Sequence, residues 1–368
     1  MAKYGKLIKF TIKDKAENPR NIQVFIPRNL DREVPAKVLW YFRGTNGVRI
    51  TWNIETSRIY QVGLAEKVVI VAPDLFKKVW SKGTDETDYY LIHDLVARLK
   101  KPIDESGTPY KLDLENMAVV GFSAGGGFGY NLAAQYPKIF GEIVFRKFLS
   151  HARPLYIKMD QQGNAVSDGG GKPDVEAYDN LKEAFHSLYA KEKPVFMLSI
   201  GLTKPTRKSP DARAIHAVQA VSTTRDFLSA IGYQTSLITI PGLGHRFLAS
   251  YSKDFAGQIR EFFFPIHITS PTSTTIWKIN QLLPIIMKIT WQALPQVVSK
   301  VNLELVSAED DKAYVLGRNL DNSGVFQVDP HLLPARTGRF FIKISTPDKL
   351  HFNYSDSFKI EYKQKTPN

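Results

Sequence analysis

Cysteine is absent from this sequence of 368 residues. Disulfide bonds, thiolate nucleophiles and zinc sites that use cysteine are therefore excluded. No apolar run approaches the roughly 20 residues of a transmembrane helix, and the first six residues, Met1 to Lys6, lack the apolar core of a signal peptide. We therefore expect no membrane span. The sequence as given predicts a cytoplasmic location, or a secreted one if a leader has been removed.

Long runs of basic charge are also missing, although the net charge is +13. The 49 lysines and arginines are spread along the chain, and the densest clusters, at 146–147 and 204–208, are short. No recognisable nucleic-acid-binding motif accompanies them. We therefore expect no nucleic-acid partner, and we interpret the charge as a solvated surface with some attraction for anionic polymers.

The residues that are present predict two folded domains. Hydrophobic residues make up 43% and aromatic residues 12% of the chain, which is ample for buried cores. Strand and helix patterns alternate over 37–263, after a hairpin at 6–27, and this alternation predicts a mostly parallel sheet with helices on both faces. From 266 to 362 the apolar residues alternate at a period of two, which predicts a small β-sandwich. We place the boundary between domains 1–264 and 265–368.

Three further predictions concern single segments of the first domain. Residues 50–61 read as a helix, and a helix at 129–135 is expected to end at Tyr136-Pro137 because proline disrupts helices. The polar, glycine-rich stretch at 160–171 reads as an inserted loop.

A strand, a tight turn and a helix meet at Ser123. The apolar run 117–120 is followed by Gly121-Phe122-Ser123-Ala124-Gly125 and then by a helical segment. This G-x-S-x-G pattern in this context is typical of a nucleophile elbow, in which a strained turn exposes the serine hydroxyl and the helix start offers a backbone N–H of Ala124 to an oxyanion. The alternative is a glycine-rich turn that only permits close packing.

A serine nucleophile needs a base, an acid and a second oxyanion donor. His245, in a glycine-flanked loop after the last core strand, is the favoured base, and His151 is a weaker alternative. The acid is expected in the loop after the strand that ends at Gly201, where Asp211 is the only acidic residue. The backbone N–H of Thr45 is the favoured second donor, although its loop could equally be a plain βα turn.

Other assignments of the acid remain open. A tighter spacing after Gly201 would put the acid at position 204, which is Lys204. The competitors of Asp211 are Asp160, Asp168 and Asp174.

Residues 6–263 resemble the α/β-hydrolase fold, and within it the group of polyhydroxybutyrate depolymerases and feruloyl esterases. The matching segments are Arg43-Gly44-Thr45-Asn46-Gly47, Val119 to Gly126 around Ser123, Tyr136-Pro137, and Pro241-Gly242-Leu243-Gly244-His245. The resemblance implies an ester hydrolase with a Ser123–His245–Asp211 triad, an acyl-serine intermediate, and no cofactor or metal. Polyesters and feruloyl or acetyl esters of polysaccharides are the implied substrates. Arg43 departs from the histidine that the group commonly has before the glycine, and Lys204 departs from its acid position.

The C-terminal region is similar to a module of fungal serine/threonine-rich GPI-anchored cell-wall proteins. The resemblance is carried by short motifs: Ile268-Thr269-Ser270-Pro271, Ile289-Thr290-Trp291, Val301 to Leu305, Gly338 to Ile344 and Tyr354 to Phe358. It implies an immunoglobulin-like sandwich that contacts polysaccharide or another polymer, and Trp277 and Trp291 could line the surface that binds the sugar. A packing or spacer domain with both tryptophans buried is the alternative.

Two other functions remain open at this point. The first is a non-catalytic protein that binds a polymer or glycan on a hydrolase scaffold, which Lys204 motivates. The second is a serine peptidase or acyltransferase, which would use the same catalytic residues.

Overall fold

The structure is a computed structural model of the chain. It describes residues 3–44, 53–74, 80, 86–102, 110–169, 173–189, 193–202, 212–241, 253–280 and 287–363. Among the helices in these ranges, none is long and apolar enough to cross a membrane.

The chain divides into two compact units. The first comprises residues 1–30 and 37–257, and the second comprises residues 31–36 and 258–368. The second unit thus includes a short segment from near the N-terminus, which the sequence did not suggest. Domains 1–264 and 265–368, with a catalytic and an accessory role, remain a prediction.

Before residue 264, the part of the chain that the structure describes contains ten strands and six helices. The strands are β1 (Gly5–Lys13), β2 (Pro19–Pro27), β3 (Ala36–Phe42), β4 (Val68–Pro73), β5 (Leu112–Phe122), β6 (Phe145–His151), β7 (Ile157–Met159), β8 (Ala165–Ser167), β9 (Val195–Leu202) and β10 (Gln234–Pro241). The helices are α1 (Tyr60–Glu66), α2 (Thr87–Leu99), α3 (Ala124–Phe140), α4 (Val175–Ser187), α5 (Ala212–Ile231) and α6 (Lys253–Phe263).

Eight of these strands form one sheet in the order β1-β2-β4-β3-β5-β6-β9-β10. Strand β2 is antiparallel to both of its neighbours, and the other neighbouring pairs with a described register are parallel. Every residue of β3 is buried, as expected for a continuous apolar strand covered on both faces. This arrangement confirms the α/β-hydrolase fold class. Strands β7 and β8 form a separate small hairpin.

A buried arginine ties the N-terminal hairpin to the sheet. Arg20 is 1% exposed, and its guanidinium lies 3.3 Å from Asp14 and 2.6 Å from Asp88. It also donates to the backbone oxygen of Asp74 at 2.7 Å. Burial alone would raise the pKa of Asp14, but the N–H of Asn18 and the Arg20 guanidinium lower it below its usual value.

We expect Arg20→Met to lower the free energy of unfolding by about 3 kcal/mol. The substitution keeps an unbranched side chain but leaves two buried carboxylates without their cation, and breaking a buried ion pair typically has a cost of this size. Urea unfolding would measure it. The exposed Arg28, changed to Met, is the control and should shift stability by less than about 0.5 kcal/mol. Equal effects of the two substitutions would show that the buried ion pairs contribute nothing.

The described residues from 266 onward, in the second unit, contain nine strands. They are β11 (Ile266–Ser270), β12 (Ile276–Asn280), β13 (Met287–Ala293), β14 (Lys300–Ser307), β15 (Ala313–Asp321), β16 (Val325–Val328), β17 (Gly338–Ser345), β18 (Phe352–Tyr354) and β19 (Phe358–Lys363), with a 3-10 turn at Pro330–Leu332.

These strands form a two-sheet sandwich. One sheet has the order β11-β13-β16, and the other has the order β12-β19-β17-β14-β15, with β18 beside β17. Strand β12 pairs parallel with the last strand, β19, and the other described pairs are antiparallel. Apolar residues of both sheets share one core. The prediction of an immunoglobulin-like sandwich is therefore confirmed.

Both tryptophans of interest lie in that core. Trp277 is 5% and Trp291 is 4% exposed, and the indole N–H of Trp291 donates to Asn322 Oδ1 at 2.7 Å. They therefore fit the alternative of buried sandwich tryptophans and present no surface to a sugar.

The segment 31–36 is bound within the second unit. The Asp31 carboxylate accepts hydrogen bonds from the backbone N–H and the hydroxyl of Ser357, at 2.9 and 2.7 Å. Val34 packs with Val306 and Phe341 in a small cluster of its own. The segment 31–36 therefore packs as part of the second unit.

Candidate active site

Ser123 occupies a sharp turn between β5 and α3. Its backbone angles are φ 52° and ψ −118°, which residues with a side chain rarely adopt. The Ser123 N–H donates to the backbone oxygen of His151 at 2.9 Å, and its carbonyl oxygen accepts from Gly126 N at 2.9 Å. These bonds hold the strained conformation. The predicted nucleophile elbow is therefore present.

Glycines flank the elbow because neighbouring backbone lies too close for a side chain. A Cβ on Gly121 would lie 2.3 Å from the oxygen of Gly125, and one on Gly125 would lie 2.1 Å from the oxygen of Phe42. Real Cβ atoms essentially never approach backbone so closely. The elbow consequently packs directly against the end of β3.

The environment of Ala124 fits the predicted oxyanion role. Ala124 is the first residue of α3, where backbone N–H groups have no partner within the helix. Its N–H makes no hydrogen bond to the residues that the structure describes. Gly44 lies beside the serine, since a Cβ there would be 2.9 Å from Ser123 Cβ. Thr45, the second predicted donor, lies outside the described residues.

Two side chains fix the chain immediately before Gly44. Arg43 is paired with Asp74, with Nε 2.7 Å from Oδ1. Trp80 donates its indole N–H to the backbone oxygen of Arg43 at 2.9 Å and stacks on Phe128 of α3, with 4.7 Å between ring centroids. Sequence reasoning missed both Asp74 and Trp80 as parts of this site. The only available signal was the position of Asp74 directly after a buried strand.

The favoured base and acid, His245 and Asp211, also lie outside the described residues. The strands that precede them, β10 and β9, end at Pro241 and Leu202. Both strands run parallel to β6, which is itself parallel to β5. Their carboxyl ends therefore lie at the same edge of the sheet as the elbow, where ligands of such sheets bind.

The alternative base and one alternative acid are engaged in structural contacts. His151 is fully buried at the end of β6, with Nδ1 2.8 Å from Ser199 Oγ. Asp174, 4% exposed, pairs with Arg153 at 3.1 Å.

The other two alternative acids belong to the β7–β8 hairpin and its flank. Asp160 accepts the backbone N–H groups of Gln162 and Asn164 at 2.9 and 2.8 Å, and it thereby closes the turn. The hydrogen bond from the Asn164 N–H is the main cause that lowers the pKa of Asp160. Asp168 follows β8, with its backbone N–H bonded to the oxygen of Tyr156.

No group of three His, Asp or Glu side chains within the described ranges is placed to hold a metal ion.

Residues 14–152 match the family model Esterase, described as "Putative esterase". The matched range includes β3, the Arg43-Gly44 segment and the whole elbow strand with Ser123. The sequence matches no curated protein.

Solved structures of hydrolases show a distant likeness. A hyperthermophilic esterase from the archaeon Pyrobaculum calidifontis is 14% identical, with a TM-score of 0.44 over 70% of this chain and 81% of that one. The fluorophosphonate-binding serine hydrolase F of Staphylococcus aureus is 15% identical, with a TM-score of 0.43 over 70% and 95%. A feruloyl esterase module from Clostridium thermocellum is 12% identical, with a TM-score of 0.44 over 71% and 87%.

Proposed function

We propose that this chain, a carboxylic ester hydrolase of the α/β-hydrolase fold, works through a covalent acyl intermediate on Ser123. The observation that carries the proposal is the backbone of Ser123, which is held in a strained conformation between β5 and α3. Strain of this kind persists only where the surrounding structure enforces it, and it is typical of an exposed nucleophile.

The proposed reaction has two halves. Ser123 Oγ attacks the ester carbonyl while His245 takes its proton, and the alcohol leaves with that proton after the tetrahedral intermediate collapses. Water then attacks the acyl-serine, again with His245 as base, and releases the acid. Asp211 orients His245 and stabilises its charged form. The N–H groups of Ala124 and Thr45 would hold the oxyanion, and each such donor is worth about 10²–10³ in rate.

The proposed substrate is an ester joined to a polymer, either a polyester or a feruloyl- or acetyl-bearing polysaccharide. The support is the second unit, an immunoglobulin-like sandwich to which none of the proposed catalytic residues belongs. We propose that this unit contacts the polymer. If the second unit were only a spacer, substitutions on its surface would change the hydrolysis of soluble and of insoluble substrates to the same extent.

Labelling by a fluorophosphonate tests the nucleophile directly. These reagents phosphonylate activated serines only, so we expect the folded protein to be labelled once, on the peptide that contains Ser123. Heat-unfolded protein should not react, because its serine hydroxyl has no base beside it. Folded protein that stays unlabelled, yet is retained on insoluble polysaccharide, would instead identify a non-catalytic binding protein. Lys204 in the expected acid position is the observation that favours this second function.

A further inference from the structure

The side chain of Arg153 lies against the first turn of α3, close to Ser123. A Cβ on Gly126 would lie 3.0 Å from Arg153 Cβ, and one on Gly127 would lie 2.9 Å from Arg153 Nε. The G-x-S-x-G pattern of the elbow ends at Gly125 and does not require these two further glycines. Their lack of side chains leaves the space in which Arg153 packs on the helix.

The backbone around Arg153 is fixed on several sides. The preceding residue, Ala152, is buried and has a φ of 54°, and its N–H donates to the oxygen of Ser199 at 2.8 Å. The Arg153 oxygen accepts hydrogen bonds from the hydroxyls of Tyr130 and Ser150, both at 3.2 Å. Burial raises the pKa of Tyr130, so its hydroxyl stays protonated and can donate. These bonds set the direction in which Arg153 leaves β6, toward α3.

The guanidinium of Arg153 is only partly paired. Its Nη2 lies 3.1 Å from Oδ2 of Asp174, which is 4% exposed and directly precedes α4. Its Nε is buried and has no hydrogen-bond partner among the residues that the structure describes. A buried donor without a partner carries a free-energy cost, so the retention of this side chain calls for a role that offsets the cost.

The two glycines that contact Arg153 also hold the backbone of the proposed nucleophile. The N–H groups of Gly126 and Gly127 donate to the carbonyl oxygen of Ser123 at 2.9 and 3.2 Å. Ala124, the proposed oxyanion donor, lies between the serine and these glycines in the same helical turn. A shift of this turn would move the Ala124 N–H, and such a donor is effective only at about 2.7–3.1 Å from the oxyanion.

We infer that Arg153 is a positioning residue for ester hydrolysis. Its side chain, held by Asp174, keeps the first turn of α3 where the Ala124 N–H meets the oxyanion. The orientation favours positioning over contact with substrate, because Nε faces Gly127 and Nη2 faces Asp174. The inference rests on the proposed function, since the acyl-serine and its oxyanion belong to that mechanism.

Steady-state hydrolysis of p-nitrophenyl acetate by Arg153→Met tests the inference. Methionine keeps an unbranched side chain over the glycines but loses the bond to Asp174. We expect kcat and kcat/KM to fall by the same factor, about tenfold, because a displaced oxyanion donor weakens binding of the transition state alone. Arg153→Lys keeps a cation near Asp174 and should recover part of this loss. Arg225→Met, at an exposed ion pair with Asp226, is the matched control and should keep the wild-type kcat.

Asp174→Asn tests whether the ion pair holds Arg153 in place, and it serves alone if Arg153→Met does not fold. Asparagine has the same size and the same ability to cap α4. We expect kcat to fall here too, and the double variant with Arg153→Met to lose no more than Arg153→Met alone, since both changes remove one contact.

Several results would overturn the inference. They are a wild-type kcat in folded Arg153→Met, a loss seen only in the free energy of unfolding, a rise in KM at constant kcat, and additive losses in the double variant. Ser123→Ala separates this inference from the proposed function. If Ser123→Ala is inactive while Arg153→Met has full activity, only the inference fails. If Ser123→Ala stays active, the proposed function fails and the inference fails with it.

Discussion

Ser123→Ala is expected to lower kcat for p-nitrophenyl acetate by a factor of about 10⁴ or more. Without the hydroxyl no acyl intermediate forms, and only oxyanion stabilisation and substrate binding remain to accelerate attack by water. The assay is steady-state hydrolysis at neutral pH. Ser187→Ala, which removes an exposed hydroxyl at the end of α4, is the control and should keep full activity. A Ser123→Ala protein with wild-type activity would end the proposed mechanism.

Two substitutions of Ser123 should have the same effect on activity but different effects on stability. Ser123→Gly would be equally inactive but should raise the free energy of unfolding by about 1 kcal/mol relative to Ser123→Ala, because glycine adopts a positive φ without strain. The hydrogen bonds at this turn are made by backbone atoms and survive both substitutions. If thermal unfolding shows no difference between alanine and glycine, the turn stores no strain.

Sequence patterns predict the parts of this fold whose determinants are local. The alternation over 6–27 gives the β1–β2 hairpin, and the apolar runs give the buried strands β3, β4 and β9. The positions on either side of Ser123 must be glycine because neighbouring backbone lies close to them. Five consecutive residues therefore suffice to predict the elbow. Each of these features depends on residues that are near one another in the chain.

Turn chemistry overrides the helical pattern expected at 50–61. In the described part of this range, residues 53–59 form turns, and α1 begins only at Tyr60. Asn53 Oδ1 accepts the N–H groups of Glu55 and Thr56, both at 2.9 Å, and Arg58 has a positive φ. The bonds to Asn53 are those of a helix N-cap and start a single turn, in which the Ser57 N–H donates to the Asn53 oxygen at 3.0 Å. The left-handed backbone of Arg58 then stops the helix.

Tertiary contacts explain why α3 does not end before Pro137. The helix continues to Phe140, although proline cannot donate to the carbonyl oxygen of Ala133. The hydroxyl of Tyr189 donates to that oxygen instead. A partner 56 positions away in the sequence thus replaces the missing bond, and no local pattern could have predicted it.

The expected loop at 160–171 includes the turn and the second strand of the β7–β8 hairpin, and Asp160 and Asn164, four positions apart, close that turn. Long-range contacts explain the rest of what the sequence missed. Around the elbow, Asp74 and Trp80 reach Arg43 across 31 and 37 positions. Such partners have no spacing signature, whereas the serine itself has one.

The close approach at the elbow leads to a prediction of a large loss of stability from a single methyl group. Gly125→Ala would place Cβ 2.1 Å from the backbone oxygen of Phe42, and neither backbone can move without displacing β3 or α3. We expect the free energy of unfolding to fall by more than about 4 kcal/mol, beyond the usual range for overpacking, because no flexible side chain can give way. Denaturant unfolding of purified protein, or its absence from the soluble fraction, would measure this.

Gly129→Ala is the matched control within the same helix. A Cβ there would lie 3.8 Å from side-chain atoms of Phe148 and Val119, which is ordinary contact. Because alanine also favours a helix interior more than glycine does, we expect this variant to gain about 0.5–1 kcal/mol. The two substitutions add the same methyl group at positions four residues apart. If they change the free energy of unfolding in opposite directions, the loss at Gly125 is due to the packing of the elbow against β3. Two equal effects would mean that this contact does not constrain the helix.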